Sequence, residues 1–210
     1  EMLLLAEETG VRLHLSQLSC GRSVEMLAEA RRRGIAVTAD VAMHQLVFTE
    51  EALAGFDSRF HVRPPLRGEG DRKALIAGVR DGVIDAIVSQ HQPHDTAAKQ
   101  APMAATEPGL SSIESVLSLG LELVEMNELA LPDLIRALTN GPASALGRTA
   151  RLAEGEIADV CVFDPDAFWT PNSKTLVSAG RHAPVTDREL PGVVRLTLSE
   201  GRKAWPKPAI

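Results

Sequence analysis

Polar side chains that could bind a metal or move a proton follow four predicted strands. In chain order they are Gln17, His44, Arg63 with Arg67, and Gln90 with His94. The carboxyl ends of parallel strands meet at one edge of a sheet, where ligands bind. Only His44 is a ready zinc ligand, since a glutamine amide neither replaces an imidazole on zinc nor accepts a proton as a carboxylate does. These residue types predict the place of an active centre without its chemistry.

The elements that must position these residues alternate in the manner of repeated βα units. Strands are predicted at 11–19, 35–41, 60–65 and 84–88. Helices are predicted at 22–33, at 49–53 with Thr49 as N-cap, after Asp71 as N-cap, at 113–126 and at 131–139. The fourth strand is almost wholly apolar, which is typical of a parallel strand covered on both faces. The pattern predicts an α/β fold with half of a (β/α)8 barrel.

From Gly147 the pattern changes, because helices cease and short strands are predicted at 158–163, 175–177 and 193–198. We therefore divide the chain into a half barrel at 1–146 and a β-rich module at 147–210. An open half barrel leaves the inner face of its strands uncovered. Either residues that precede Glu1 complete the barrel, which we favour because the chain begins inside a predicted helix, or another copy does so.

Composition narrows the possible partners. The 210 residues, 44% of them hydrophobic, are enough for a globular core. The formal charge of −6 provides no basic stripe for nucleic acid, and no run of about 18 apolar residues could cross a bilayer. Cys20 and Cys161 form no C-x-x-C pair, so we expect both to be buried and free in a reducing cytoplasm. We expect neither nucleic acid nor membrane as a partner.

Seven segments of the chain carry a family resemblance. They are HLSQLS at 14–19, VTADVAMHQL at 37–46, VRPPLR at 62–67, IDAIVSQHQPH at 84–94, EPGLSSIE at 107–114, LTNGPA at 138–143 and ADVCVFDP at 158–165. In order and spacing they resemble the C-terminal half of dihydroorotases in the amidohydrolase superfamily, over essentially the whole chain. The resemblance implies a zinc-dependent TIM barrel, flanked by a small β-sandwich, that interconverts carbamoyl aspartate and dihydroorotate.

When the family's functional residues are matched to this sequence one by one, the resemblance implies that most of the metal ligands and the catalytic base are replaced. Gln17 stands where the family has a zinc-binding histidine, and Gln90 where it has the aspartate that binds metal and takes a proton from water. His44 matches a ligand that is retained, so it is a metal-binding remnant or a structural histidine. Arg63 replaces a substrate-binding asparagine, and His94 matches a histidine that contacts the substrate carboxylate. We therefore expect no catalytic residue and no cofactor.

Two functions remain open. In the favoured one, the protein is a non-catalytic, dihydroorotase-like subunit of pyrimidine biosynthesis that assembles with the catalytic subunit of aspartate transcarbamoylase, as silent members of this family do. In the alternative, it is an active amidohydrolase with one zinc ion, held by His44 and by histidines upstream of Glu1, and with His91 or His94 as base. Association of the protein with itself is compatible with both.

Overall fold

The computed structural model describes residues 1–206 and contains two sheets with helices packed around the first. The helices are α1 Met2–Thr9, α2 Gly21–Arg32, α3 Met43–Val47, α4 Glu69–Arg80, α5 Val116–Glu125, α6 Leu131–Leu138 and α7 Asn140–Ala145. The strands are β1 Leu13–Leu18, β2 Val37–Ala42, β3 Ala86–Val88, β4 Val160–Trp169, β5 Leu190–Ser199 and β6 Arg202–Trp205. Five short 3₁₀ turns lie in the connections, at Glu50–Leu53, Ser58–Phe60, Ala97–Lys99, Met103–Ala105 and Ile113–Ser115.

The first sheet is parallel, in the order β1-β2-β3. Successive side chains of a strand point to opposite faces. In β1, Leu13 and Leu15 pack against the hydrophobic core, whereas His14 and Ser16 are exposed on the other face. One face of this sheet is therefore covered by helices. The other face is polar and exposed at β1, whereas Asp40 of β2 on the same face is buried.

The core lies between this sheet and the helices. Its fully buried side chains include Leu27 of α2, Leu75 of α4, Leu123 of α5 and Leu134 of α6. Burying one such side chain stabilises a fold by about 1.5–3 kcal/mol. Gly120 allows α5 and α6 to approach closely, because an added Cβ there would come within 2.5 Å of the Leu134 side chain. The helices thus pack against the strands whose carboxyl ends carry the predicted site residues.

The second sheet is antiparallel, in the order β4-β5-β6, and packs against α5. Gly192 of β5, at φ 88°, lies where an added Cβ would be 2.4 Å from the Leu121 side chain. The indole N–H of Trp169 donates a hydrogen bond of 2.9 Å to Ser118 Oγ. Val185 and Leu190 belong to the same core as the first sheet. Because the two parts share one core, the division at residue 147 stays a prediction.

The predicted strand at 60–65 is wrong, so three parallel strands are present among residues 1–206 where four were expected. The segment begins in a 3₁₀ turn, Ser58–Phe60, and its carbonyl groups accept hydrogen bonds from outside any strand ladder. The bonds run from Gly109 N to His61 O at 2.8 Å, from Gln45 Nε2 to Pro64 O at 2.9 Å, and from Gln90 Nε2 to Arg63 O at 2.5 Å. Side-chain amides thus satisfy backbone groups that a sheet partner would otherwise satisfy.

Other local predictions also need correction. Gly68 is the N-cap residue of α4, and the Asp71 carboxylate instead accepts a hydrogen bond of 2.8 Å from the Gly21 backbone N–H at the start of α2. Thr49 is the N-cap residue of the turn Glu50–Leu53, as predicted, although that turn is a 3₁₀ helix and the Thr49 side chain makes no capping bond to it within the described chain. Residues 175–177 form no strand, since Thr175 ends a turn and the next two residues have no regular structure. Cys161 is exposed and Cys20 half-buried, so the expectation that both are buried is wrong.

No helix within residues 1–206 is both long enough and apolar enough to cross a membrane.

Candidate functional site

A β-bulge forms the carboxyl end of β1. Leu15 pairs with Ala39 and Leu18 with Val41, so two residues of β1 lie opposite Asp40 alone. An extra residue of this kind bends a strand and redirects its side chains. Gln17, in the bulge, has a positive φ of 61°.

The Asp40 carboxylate holds this bulge. Its Oδ1 accepts a hydrogen bond of 2.7 Å from the Gln17 backbone N–H, and its Oδ2 accepts one of 2.8 Å from Ser16 Oγ. His14 Nε2 lies 2.9 Å from the same Oδ2, and His14 Nδ1 lies 2.8 Å from Thr38 Oγ1. Asp40 is only 5% exposed. Asp40 is not among the site residues predicted from sequence, although an acidic residue within an apolar strand is a signal that its carboxylate has buried partners.

Gln90 follows β3 and contacts Gln17. Its Nε2 donates a hydrogen bond of 3.0 Å to Gln17 Oε1 and a second, of 2.5 Å, to the Arg63 carbonyl. Gln90 also has a positive φ, 48°. Its Oε1 is buried and has no hydrogen-bond partner in the described part of the chain. The structure therefore joins the two glutamines of the predicted site through their amides.

His44 lies in α3, directly after β2, and is 2% exposed. Neither ring nitrogen has a hydrogen-bond partner among residues 1–206. Burial lowers the pKa of His44 from 6.5 to about 4, since the imidazolium loses its hydration. His44 is therefore a neutral imidazole at physiological pH, with an unused lone pair.

This shift predicts an acid-sensitive fold. The unfolded chain binds a proton at His44 below pH 6.5, while the folded chain resists protonation down to about pH 4. Stability is therefore full above pH 6.5 and falls as the pH drops towards about 4, by about 3 kcal/mol in total from this residue. Urea unfolding between pH 4 and 7, compared with His44→Gln, measures the effect; equal pH slopes in the two proteins would contradict it.

The other predicted site residues lie around the same strand ends. Arg63 and Arg67 are exposed. His94 Nε2 lies 3.0 Å from the Pro108 carbonyl and so donates to it, which leaves its Nδ1 lone pair without a partner among residues 1–206. His91 Nδ1 instead accepts from the backbone N–H groups of Ser112 and Ile113, at 3.1 and 3.3 Å. The neutral His91 ring thus carries its proton on Nε2, and of the two histidines only His94 keeps the lone pair that a base needs.

The sequence matches a known protein family. A model described as "Amidohydrolase family" matches residues 3–203. The chain belongs to the amidohydrolase family. It is 50% identical over 200 residues to a dihydroorotase-like protein of Pseudomonas aeruginosa, a match that covers 95% of this chain and 47% of that protein. The chain spans about half the length of the curated relatives it matches.

Two solved structures share the fold. The L-hydantoinase (dihydropyrimidinase) of Arthrobacter aurescens matches with a TM-score of 0.89 at 24% identity, over 96% of this chain and 46% of that one. The inactive dihydroorotase-like domain of a CAD-like multifunctional protein from Chaetomium thermophilum matches with a TM-score of 0.74 at 19% identity, over 99% of this chain and 57% of that one. The predicted fold class, an α/β part of an amidohydrolase TIM barrel, is confirmed.

The residues present do not fit the zinc site that the resemblance implies. Within residues 1–206, no group of three or more His, Cys, Asp and Glu side chains is placed to hold a metal ion. Gln17 and Gln90 bond to each other, and the nitrogens of His44 are buried. Structural and catalytic zinc sites use three or four nitrogen, sulfur or carboxylate ligands. The described residues therefore do not supply a zinc site by themselves.

Proposed function

We propose that this chain is the C-terminal half barrel of a dihydroorotase-like protein that has no catalytic activity. The observation that carries the proposal is the hydrogen bond between the amides of Gln17 and Gln90. These are the positions where the resemblance places a zinc-binding imidazole and the basic carboxylate. A neutral amide has no lone pair that accepts a proton at physiological pH.

The absence of the zinc-binding imidazole and of the basic carboxylate should lower the rate of catalysis strongly. Removing a general base alone costs a factor of about 10²–10⁴ in rate. Losing the metal that lowers the pKa of the attacking water removes a further contribution. Asp40 is the nearby carboxylate, yet its oxygens already accept three hydrogen bonds at the bulge, so it is not free to replace the missing base.

A barrel that has lost catalysis can still act through its surface. We propose that the protein works in pyrimidine biosynthesis as an assembly subunit of aspartate transcarbamoylase, in the cytoplasm. The resemblance to silent family members supports this role. So does the fold shared with the inactive dihydroorotase-like domain of the Chaetomium thermophilum protein, which is itself part of a multifunctional chain.

The alternative, an active zinc amidohydrolase, has one observation in its favour. His44 is a neutral imidazole with a lone pair that no described residue uses. Together with histidines from a preceding half barrel it could complete a mononuclear site, with His94 as base. The dihydroorotase-like names of the relatives and the amidohydrolase family are compatible with such a cyclic-amide hydrolase.

Metal content, turnover and co-purification separate the two functions. For the full-length protein we expect zinc well below one ion per chain, no measurable cyclisation of carbamoyl aspartate, and co-purification with aspartate transcarbamoylase, whose activity falls when the protein is removed. Near-stoichiometric zinc together with cyclisation that His44→Ala abolishes would contradict the proposal and establish the alternative. Val11→Ala, at an exposed position before β1, is the control substitution.

A further inference from the structure

We infer that Gln17, Gln90 and Asp40 form a metal-free clip that ties together the carboxyl ends of strands that are not neighbours in the sheet. The sheet order is β1-β2-β3, so the bond between Gln17 and Gln90 passes across the end of β2. The same Gln90 amide holds the carbonyl of Arg63 in the loop where a fourth strand was expected. The Gln90 amide thus connects its own loop to the end of β1 and to the loop that contains Arg63.

The unfavourable backbone conformation of both glutamines indicates that contacts with neighbouring residues enforce it. Gln17 and Gln90 have φ values of 61° and 48°, in the left-handed region that residues with a Cβ avoid. Such conformations persist where the surrounding structure enforces them. At Gln17 the enforcing group is the buried Asp40 carboxylate, which binds the backbone N–H of the bulge. Asp40 is therefore a positioning residue: it directs the Gln17 side chain towards Gln90.

The chemistry of the amide explains why this clip needs no ion. An imidazole and a carboxylate at two strand ends can share a cation, whereas two amides pair directly because each has a donor and an acceptor. The roles in the pair are asymmetric. Gln90 donates through Nε2 to two oxygens, and Gln17 offers only its Oε1.

This asymmetry gives a sharp test with isosteric variants of the full-length protein. Gln17→Glu keeps an acceptor oxygen, so we expect its unfolding equilibrium constant to change by less than about threefold. Gln90→Glu loses both donated bonds and leaves a carboxylate beside the Arg63 carbonyl. We therefore expect its unfolding equilibrium constant to increase by about 10- to 30-fold. Gln92→Glu, exposed in the same loop, is the matched control and should change little. Equal effects of Gln17→Glu and Gln90→Glu would overturn the inference.

Two further measurements address the pairing and the absence of metal. Gln17→Ala and Gln90→Ala should each weaken the fold, while the double variant is little weaker than Gln90→Ala alone, because that change already breaks the shared bond. In Asp40→Asn, hydrogen exchange at the Gln17 amide should accelerate at least about tenfold, since the neutral side chain holds the bulge less well. Additive effects of the two alanine changes, or a rise in Tm of the unmodified protein on addition of zinc alone, would overturn a metal-free clip.

Discussion

The double variant Gln17→His/Gln90→Asp is expected to bind zinc and yet to show little turnover. The two changes add an imidazole and a carboxylate to the neutral His44, so that together with the upstream histidines that the resemblance implies the full-length variant has the ligands of a catalytic zinc site. They also remove the amide pair, so the metal-free variant should be less stable than the unmodified protein. Zinc at about 100 times its Kd would then stabilise the variant by about 2.7 kcal/mol, and would leave the unmodified protein unchanged.

Turnover should stay low because Arg63 occupies the position of an asparagine that, by resemblance, binds substrate. A guanidinium is longer than an amide and always charged. Thermal unfolding with and without zinc measures the binding, and cyclisation of carbamoyl aspartate measures the activity. The triple variant that adds Arg63→Asn is the informative comparison. Substantial turnover in the double variant would show that Arg63 does not obstruct the substrate; no response of its Tm to zinc would show that the ligand positions had been wrongly carried over.

Arg72→Met is expected to destabilise the protein by about 2–3 kcal/mol, because it leaves a carboxylate without its partner in a half-buried site. Arg72 is 9% exposed and donates two hydrogen bonds, of 2.6 and 2.7 Å, to Glu128. It also donates one of 3.0 Å to the carbonyl of Leu46 in α3, and it pairs with Glu69 within α4. The guanidinium thus joins α4 to the helix that carries His44.

The stability lost in Arg72→Met should be larger at neutral pH than at acidic pH. Hydrogen bonds from Arg72 hold the pKa of Glu128 below its usual 4.5, so this stabilisation is present above pH 4.5 and disappears as the carboxylate becomes protonated at lower pH. Chemical unfolding at pH 7 and at pH 3 measures the difference between the proteins. Lys73→Met is the matched control, since Lys73 is 68% exposed and 3.5 Å from Glu69, and it should cost less than about 0.5 kcal/mol. Similar losses in both variants would contradict a buried role for Arg72.

Helical periodicity predicted a helix, and a continuous apolar run predicted a buried strand. The helix predicted at 22–33 is confirmed as α2, and the apolar run at 84–88 contains β3. The segment at 60–65 has a strand-like composition, but its carbonyl groups are satisfied by side-chain amides from distant parts of the chain, including Gln45 and Gln90. Composition carries no signal for such bonds, so this prediction failed.

The same reason limited the prediction of the site. Strand ends and the family resemblance pointed to Gln17, His44 and Gln90, but not to how they interact. The bond between the two glutamines joins residues 73 positions apart and depends on a bulge that Asp40 stabilises. A bulge arises from the register of two strands, and register follows from three-dimensional packing rather than from either strand alone.

The bond between Trp169 and Ser118 has an optical consequence. The chain has two tryptophans, of which Trp205 is 41% exposed, while Trp169 is half-buried against α5. Indole fluorescence shifts to longer wavelength when the ring meets water, so separation of the second sheet from α5 would redden the emission of Trp169 alone. In Trp205→Phe, the intrinsic fluorescence of Trp169 therefore reports on that separation without an attached dye.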